Sequence, residues 1–198
     1  MVWISKTSTL ASANDELTIS NDDGKFLFLI ANITGSSSGN IIADLNFNDD
    51  RTSSTNYNKK QSTDNGSATS SGTTGNDGIA TTTAGNSSLE YFMMFDIVNI
   101  ASKEKLIIGS SLDTQVDGDT SYLPTLYDIG GKWVNTSNKI TKIDLDNAGT
   151  GDFDTESNLT VISDSGYFEN IENGTIFEET DTNKAYIWSS SSETWTQL

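Results

Sequence analysis

The chain contains no cysteine and no histidine. Without cysteine there is no disulfide framework, no thiolate metal site and no cysteine nucleophile. Without histidine the Ser-His-Asp triad, Cys-His dyads and most zinc sites are excluded, because each needs an imidazole. Arg51 is the sole arginine, so the side chain best suited to bidentate phosphate recognition occurs once. Pro124 is the sole proline. Apolar residues make up 34% of the 198, below the usual share for a globular chain. No apolar run approaches the ~20 residues of a membrane-spanning helix. The opening MVWISKTSTLASANDE lacks the apolar centre of a signal peptide, so a soluble protein is expected. Negative charge, by contrast, is in surplus: the formal net charge is −17. That charge repels nucleic acid and anionic membrane, and neither is expected as a partner.

Against this polar background one stretch stands out, LEYFMMFDIVNIASKEKLIIG over residues 89–109. Leu89, Tyr91, Met93, Phe95 and Ile97 share one face of an extended strand. Phe92, Met94, Val98 and Ile100 share the other, interrupted by Glu90 and Asp96. A strand apolar on both faces is usually central and covered on both sides. Ala101–Glu104 offers a turn and Leu106–Ile108 a return strand, which makes a central hairpin. KFLFLIANIT at 25–34 is a second strand apolar on both faces. Ile41, Ala43, Leu45 and Phe47 alternate with Asp44, Asn46 and Asn48, the pattern of a half-buried strand; Thr141, Ile143 and Leu145 alternate with Lys142 and Asp144 in the same way. Ser110–Asp128 reads as a loop, Gly130–Val134 as a resumed strand and Leu159–Ile162 as the last strand of the body. The fold expected is all-β, a jelly-roll-like antiparallel β-sandwich over residues 1–165 with about seven or eight strands and no helix. Residues 166–198 read as a separate C-terminal β-meander carrying Phe177, Tyr186, Trp188 and Trp195. A three-strand unit of that size is marginal alone, so Trp188 and Trp195 are expected to pack against the body or another copy.

Residues 49–88 are rich in Ser, Thr, Asn and Gly, with little to bury. The segment could be a disordered excursion, thin edge strands, or a loop ordered by a neighbouring subunit; the last is preferred. Its basic cluster, Arg51, Lys59 and Lys60, opposes the charge of the rest and suits an intersubunit contact, although solvated loop charges are the commoner case. Phe92 and Met94, on the second face of the central strand, mark an interface if the chain's own loop leaves them open.

Chemistry-bearing constellations are sparse. Asp144, Asp146 and Asp152 lie in DLDNAGTGDFD, a Gly-punctuated acidic stretch of the kind that can hold calcium, the one candidate cofactor. EF-hand spacing fails, since Ala148 and Thr155 stand where ligands belong, and an Asx-rich turn is the commoner origin of such a pattern. Glu90, Asp96, Glu178 and Glu179 could pair for glycoside hydrolysis only because acids are plentiful. The chain is therefore read as non-enzymatic. Tyr122, Tyr127 and Trp133 could stack on sugar rings if exposed, although aromatics on strands more often belong to the core.

The segments IVNIASKEKL, W-x-N-T-S-x-x-I-T-x-I and FEETDTNKAYIW…WTQL, all within residues 89–198, resemble those of β-rich virion structural proteins of tailed bacteriophages and marine archaeal viruses. The resemblance implies a capsid decoration, head-fibre or tail/spike component. Such a protein would be assembled in the host cytoplasm and exposed on the particle, with other copies of itself and virion proteins as partners. A homo-oligomer, a trimer for choice, is then expected. The alternative is a lectin-like module binding a host-surface glycan, assisted by calcium.

Overall fold

The structure is a computed structural model, described over residues 3–21, 24–36, 39–51, 55–64, 69–76, 78–82, 90–114, 123–164, 173–179, 181–189, 191 and 194–198. Its strands are β1 (Trp3–Thr9), β2 (Glu16–Ser20), β3 (Phe26–Thr34), β4 (Ala43–Phe47), β5 (Tyr57–Asp64), β6 (Thr69–Asn76), β7 (Ile79–Ala80), β8 (Glu90–Val98), β9 (Lys105–Asp113), β10 (Thr125–Trp133), β11 (Lys142–Asn147), β12 (Asn158–Asp164), β13 (Ile176–Glu179), β14 (Lys184–Ser189) and β15 (Thr194–Gln197). All their pairings are antiparallel. The described residues contain no helix. The chain divides into two compact units, Trp3–Ser165 and one comprising Gly166–Leu198 with the first two residues.

The larger unit is an antiparallel β-sandwich. An eight-stranded sheet runs β1-β12-β3-β8-β9-β10-β5-β6, and a four-stranded sheet runs β2-β11-β4-β7. Successive strands swap sheets: β1, β3, β8 and β12 lie in the long sheet, β2, β4, β7 and β11 in the short one. The hairpins β5–β6 and β9–β10 do not swap; they lengthen the first sheet beyond β8.

Period-two alternation decides which side chains fill the space between the sheets. Leu27, Leu29, Ala31 and Ile33 of β3 are buried, as are Tyr91, Met93, Phe95 and Ile97 of β8. Ala43, Leu45 and Phe47 of β4 meet them from the short sheet, with Ile143 and Leu145 of β11. Fully burying each large side chain is worth about 1.5–3 kcal/mol, so this interior is the main source of stability. Near Phe47 the rings of Tyr57 and Trp133 gather, with centroids 5.8 to 6.5 Å apart. Their polar ends are satisfied. The Phe47 amide donates to the Tyr57 hydroxyl at 3.0 Å, and Trp133 Nε1 donates to Asp50 Oδ2 at 2.7 Å.

Two expectations about loops are corrected. Much of the polar segment 49–88 pairs within the chain: β5 joins β10, β6 joins β5, and β7 joins β4. Main-chain hydrogen bonds supply what its side chains cannot, so no neighbouring copy is needed to form these strands. Likewise Ser110–Asp113 continue β9, and Thr125–Asp128 already belong to β10.

The smaller unit is the expected three-stranded meander, β13-β14-β15. Its rings stack on one another: Phe177 lies 6.1 Å from Trp195, and Trp188 lies 5.3 Å from Trp195. Trp188 is half-buried, whereas Phe177 and Trp195 stay exposed.

Candidate functional site

The residues that alternate with the core strands' buried side chains form the outer face of the long sheet. On β8 these are Phe92 and Met94, 44% and 39% exposed, and on β9 Leu106 and Ile108, 57% and 67% exposed. Phe26 of β3, Leu112 of β9, Leu126 of β10 and Trp3 of β1 complete a set of eight exposed large apolar side chains on this face. The polar segment 49–88, one of the two candidates to cover this face, instead places its β5–β6 hairpin beside β10 in the same sheet. Phe92 and Met94 are thus open, as an interface requires.

Register places this face in rows across the strands. One row reads Phe28, Asp96, Ile108, Gly130, Lys60, Gly72 over β3, β8, β9, β10, β5 and β6. Bulk sits at the β3–β9 end. At the β10–β6 end two glycines leave the backbone bare: a Cβ on Gly130 would meet nothing within 4 Å, and one on Gly72 only the Lys59 carbonyl, at 3.7 Å. The result is an open trough of about 920 Å³, walled by Phe26, Phe28, Val98, Leu106 and Ile108 and floored by glycine. Asp96 and Lys60 project from it, and neither forms an ion pair among the described residues.

A second polar assembly occupies the outer face of the short sheet. Asn48 and Asp49 take left-handed backbone angles, φ 54° and 59°, a region that Asn and Asp tolerate best after glycine. This tight turn, closed by the Asp50 amide donating to the Phe47 carbonyl at 3.0 Å, swings Arg51 back over the sheet. There Arg51 Nη2 donates to Glu16 Oε1 at 2.8 Å, Nη1 reaches Asp146 Oδ1 at 2.7 Å, and Asp144 Oδ2 lies 3.5 Å from Nη2. Lys142 Nζ holds the other Asp144 oxygen at 3.0 Å, and also pairs with Asp49. Asn46 Nδ2 donates to Asp146 Oδ2 at 2.7 Å, and Thr18 Oγ1 to Asp144 Oδ1 at 2.8 Å. The Glu16 carboxyl is held below its usual range by the Thr18 hydroxyl and Arg51. Burial dominates at Asp146, pushing its pKa up to about 6 despite the Arg51 charge. A polar hollow of about 310 Å³ opens beside this network, lined by Asp15, Glu16, Asp44, Asn46, Arg51 and Asp146.

The network reassigns several residues. Arg51 neutralises the chain's own carboxylates, so it is not a free intersubunit cation. Lys59 is also used internally, donating to Gln61 Oε1 and the Ala80 carbonyl, both at 2.9 Å. Only Lys60 of the basic cluster remains on the exposed face. Asp144 and Asp146 are tied to Arg51, Lys142, Asn46 and Thr18, while Asp152 is exposed and its carboxyl, beside that of Asp15, raises the pKa of Asp15. Among the described residues no three acidic side chains gather as a cation site.

The sugar-stacking candidates are not on the surface. Trp133 is buried, with the Lys105 ammonium 5.5 Å from its ring centroid. Tyr127 is buried, and its hydroxyl donates to Asp113 Oδ2 at 3.0 Å. Tyr122 lies outside the described residues. Glu90 and Asp96 share the outer face of β8, and Glu178 and Glu179 belong to the smaller unit. Sequence reasoning missed the Arg51 network because its members are far apart in the chain. The one available signal was the charged, alternate positions of β2, β4 and β11: Glu16, Asp44, Asp144 and Asp146.

Compared with protein-family models, with curated proteins and with solved structures, the chain matches none.

Proposed function

We propose that this chain is a non-enzymatic structural component of a virion surface, a capsid decoration, head-fibre or tail/spike protein that associates with copies of itself. The observation that carries the reading is the apolar outer face of the long sheet. Water-exposed side chains such as Ile108 and Phe92 stabilise nothing in a lone subunit, and a face of this kind favours association. The strand order supports it: β1-β12-β3-β8 against β2-β11-β4-β7, with two inserted hairpins, fits the jelly-roll pattern expected of the chain, a fold used by viral capsid and lectin domains. Fold alone does not fix function, so the weight rests on the face and on the resemblance of residues 89–198 to virion proteins. The acidic surface limits nonspecific association while the apolar face is exposed. Light scattering of the purified protein over a wide concentration range tests the reading. An integral multiple of the 21.4 kDa chain mass is expected. A monomer at every concentration counts against self-association.

A further inference from the structure

The outer face of the long sheet is built to receive itself. Taking about 200 Å² for a large side chain when fully exposed, the seven exposed apolar residues on β3, β8, β9 and β10 present on the order of 650 Å². The largest apolar patch of a typical monomer is ~300–600 Å², whereas a standard-size interface takes ~800 Å² from each partner. The patch is thus oversized for a free surface and near what one side of a stable dimer requires.

The register supplies the mode. In the row Phe28, Asp96, Ile108, Gly130, Lys60, Gly72, a two-fold axis parallel to the strands and midway between β9 and β10 exchanges the positions symmetrically. Ile108 of one copy then faces Gly130 of the other, Phe28 faces Gly72, and Asp96 faces Lys60. Each bulky side chain meets a bare glycine, and each unpaired charge meets its opposite. In the adjoining row Met94 faces Ser62 and Ile30 faces Ser70, again large against small. Isologous interfaces require this self-complementarity, in which residue i meets j and j meets i. Packed sheets tolerate nearly aligned strands, so the axis direction is sterically ordinary.

We infer that two copies pair face to face through the outer surface of the long sheet, with Ile108 seated over Gly130 and Asp96 paired with Lys60 across the two-fold. This deepens the self-association reading above and rests on it. It also replaces the three-fold expectation, since a two-fold contact of this kind yields even-numbered assemblies.

Sedimentation velocity and light scattering on the full chain test the pairing, using Asp96→Lys, Lys60→Asp, the double swap and Gly130→Leu. All three sites are exposed, so circular dichroism and melting temperature should match wild type. Each charge reversal creates two like-charge contacts per dimer, and should weaken dimerisation by ~100-fold or more. The double swap restores both pairs and should recover affinity to within ~10-fold. Gly130→Leu fills the hollow and should give a monomer. An oligomer indifferent to all four variants overturns the pairing but leaves self-association standing, as does a strictly trimeric wild type. Loss with either single reversal that the swap fails to rescue overturns the register. A wild-type monomer at all concentrations overturns both readings.

Discussion

Asp146 should make this protein less stable at neutral pH than it is near pH 4, in a way that one substitution removes. Its side chain is only 16% exposed and sits between Arg51 and Asn46. Burial raises its folded pKa from the ordinary 3.8 to about 6. A raised carboxyl pKa means the native state holds this proton more tightly than the unfolded chain. Its stabilising contribution is therefore complete below about pH 3.8 and is lost as pH rises through about 6. The rise from 3.8 to about 6 corresponds to about 3 kcal/mol at ~1.4 kcal/mol per tenfold change in proton affinity. Asp146→Asn keeps an oxygen for Arg51 and removes the titration. The other carboxylates titrate in both proteins and largely cancel in the difference. The variant should gain on wild type by up to about 3 kcal/mol between pH 4 and pH 7. Urea unfolding followed by tryptophan fluorescence reads this directly, because Trp133 is buried in the core. A difference that stays flat with pH, or that moves in favour of wild type as pH rises, would refute the reasoning. It would mean that the Arg51 ion pair outweighs the desolvation of Asp146.

Arg51→Met should cost about 2–3 kcal/mol, below the usual ~3–5 for breaking a buried pair, because Arg51 keeps 34% of its side chain in water and Lys142 still holds Asp144; denaturant midpoints measure it. Phe47→Ala removes a fully buried ring packed on Tyr57 and Trp133 and should cost about 3–5 kcal/mol, seen as a large drop in melting temperature. Gly109→Ala should prevent normal pairing of β8 with β9, because its Cβ would fall on the Met94 carbonyl and 2.7 Å from Phe95 Cα; soluble yield and circular dichroism report it, with Gly130→Ala as the tolerated control. Lys105→Met strips the ammonium that donates to the Ala101, Lys103 and Asn135 carbonyls at 3.3, 2.8 and 2.7 Å; the expected loss of about 2 kcal/mol is read by urea unfolding.

The residues that alternate strongly carried their own placement. Tyr91, Met93, Phe95 and Ile97 had to share a face, as did Ile41, Ala43, Leu45 and Phe47, because successive side chains of a strand point to opposite sides. All eight are buried. The absence of helix among the described residues was legible on the same grounds, whereas alternation left open whether the chain's own loop or another copy covers Phe92 and Met94. What sequence could not supply was pairing across distance. Strand β5 is too polar to announce itself as a strand, and it forms because β10 presents a free edge to it. Arg51 and Lys59 read as loop cations until folding brought Glu16, Asp144 and Asp146 to one and the Ala80 carbonyl to the other. Trp133 and Tyr127 stayed open between surface and core until the register turned them inward. By itself, then, the sequence determined an acidic, all-β chain with two-faced apolar strands and none of the groups for imidazole or thiol chemistry. Tertiary structure alone decided which of those faces meet within one chain and which stay bare. Local alternation is a property of neighbouring residues, whereas the row Asp96, Ile108, Gly130, Lys60 exists only once β5 joins the consecutive strands β8, β9 and β10 in register.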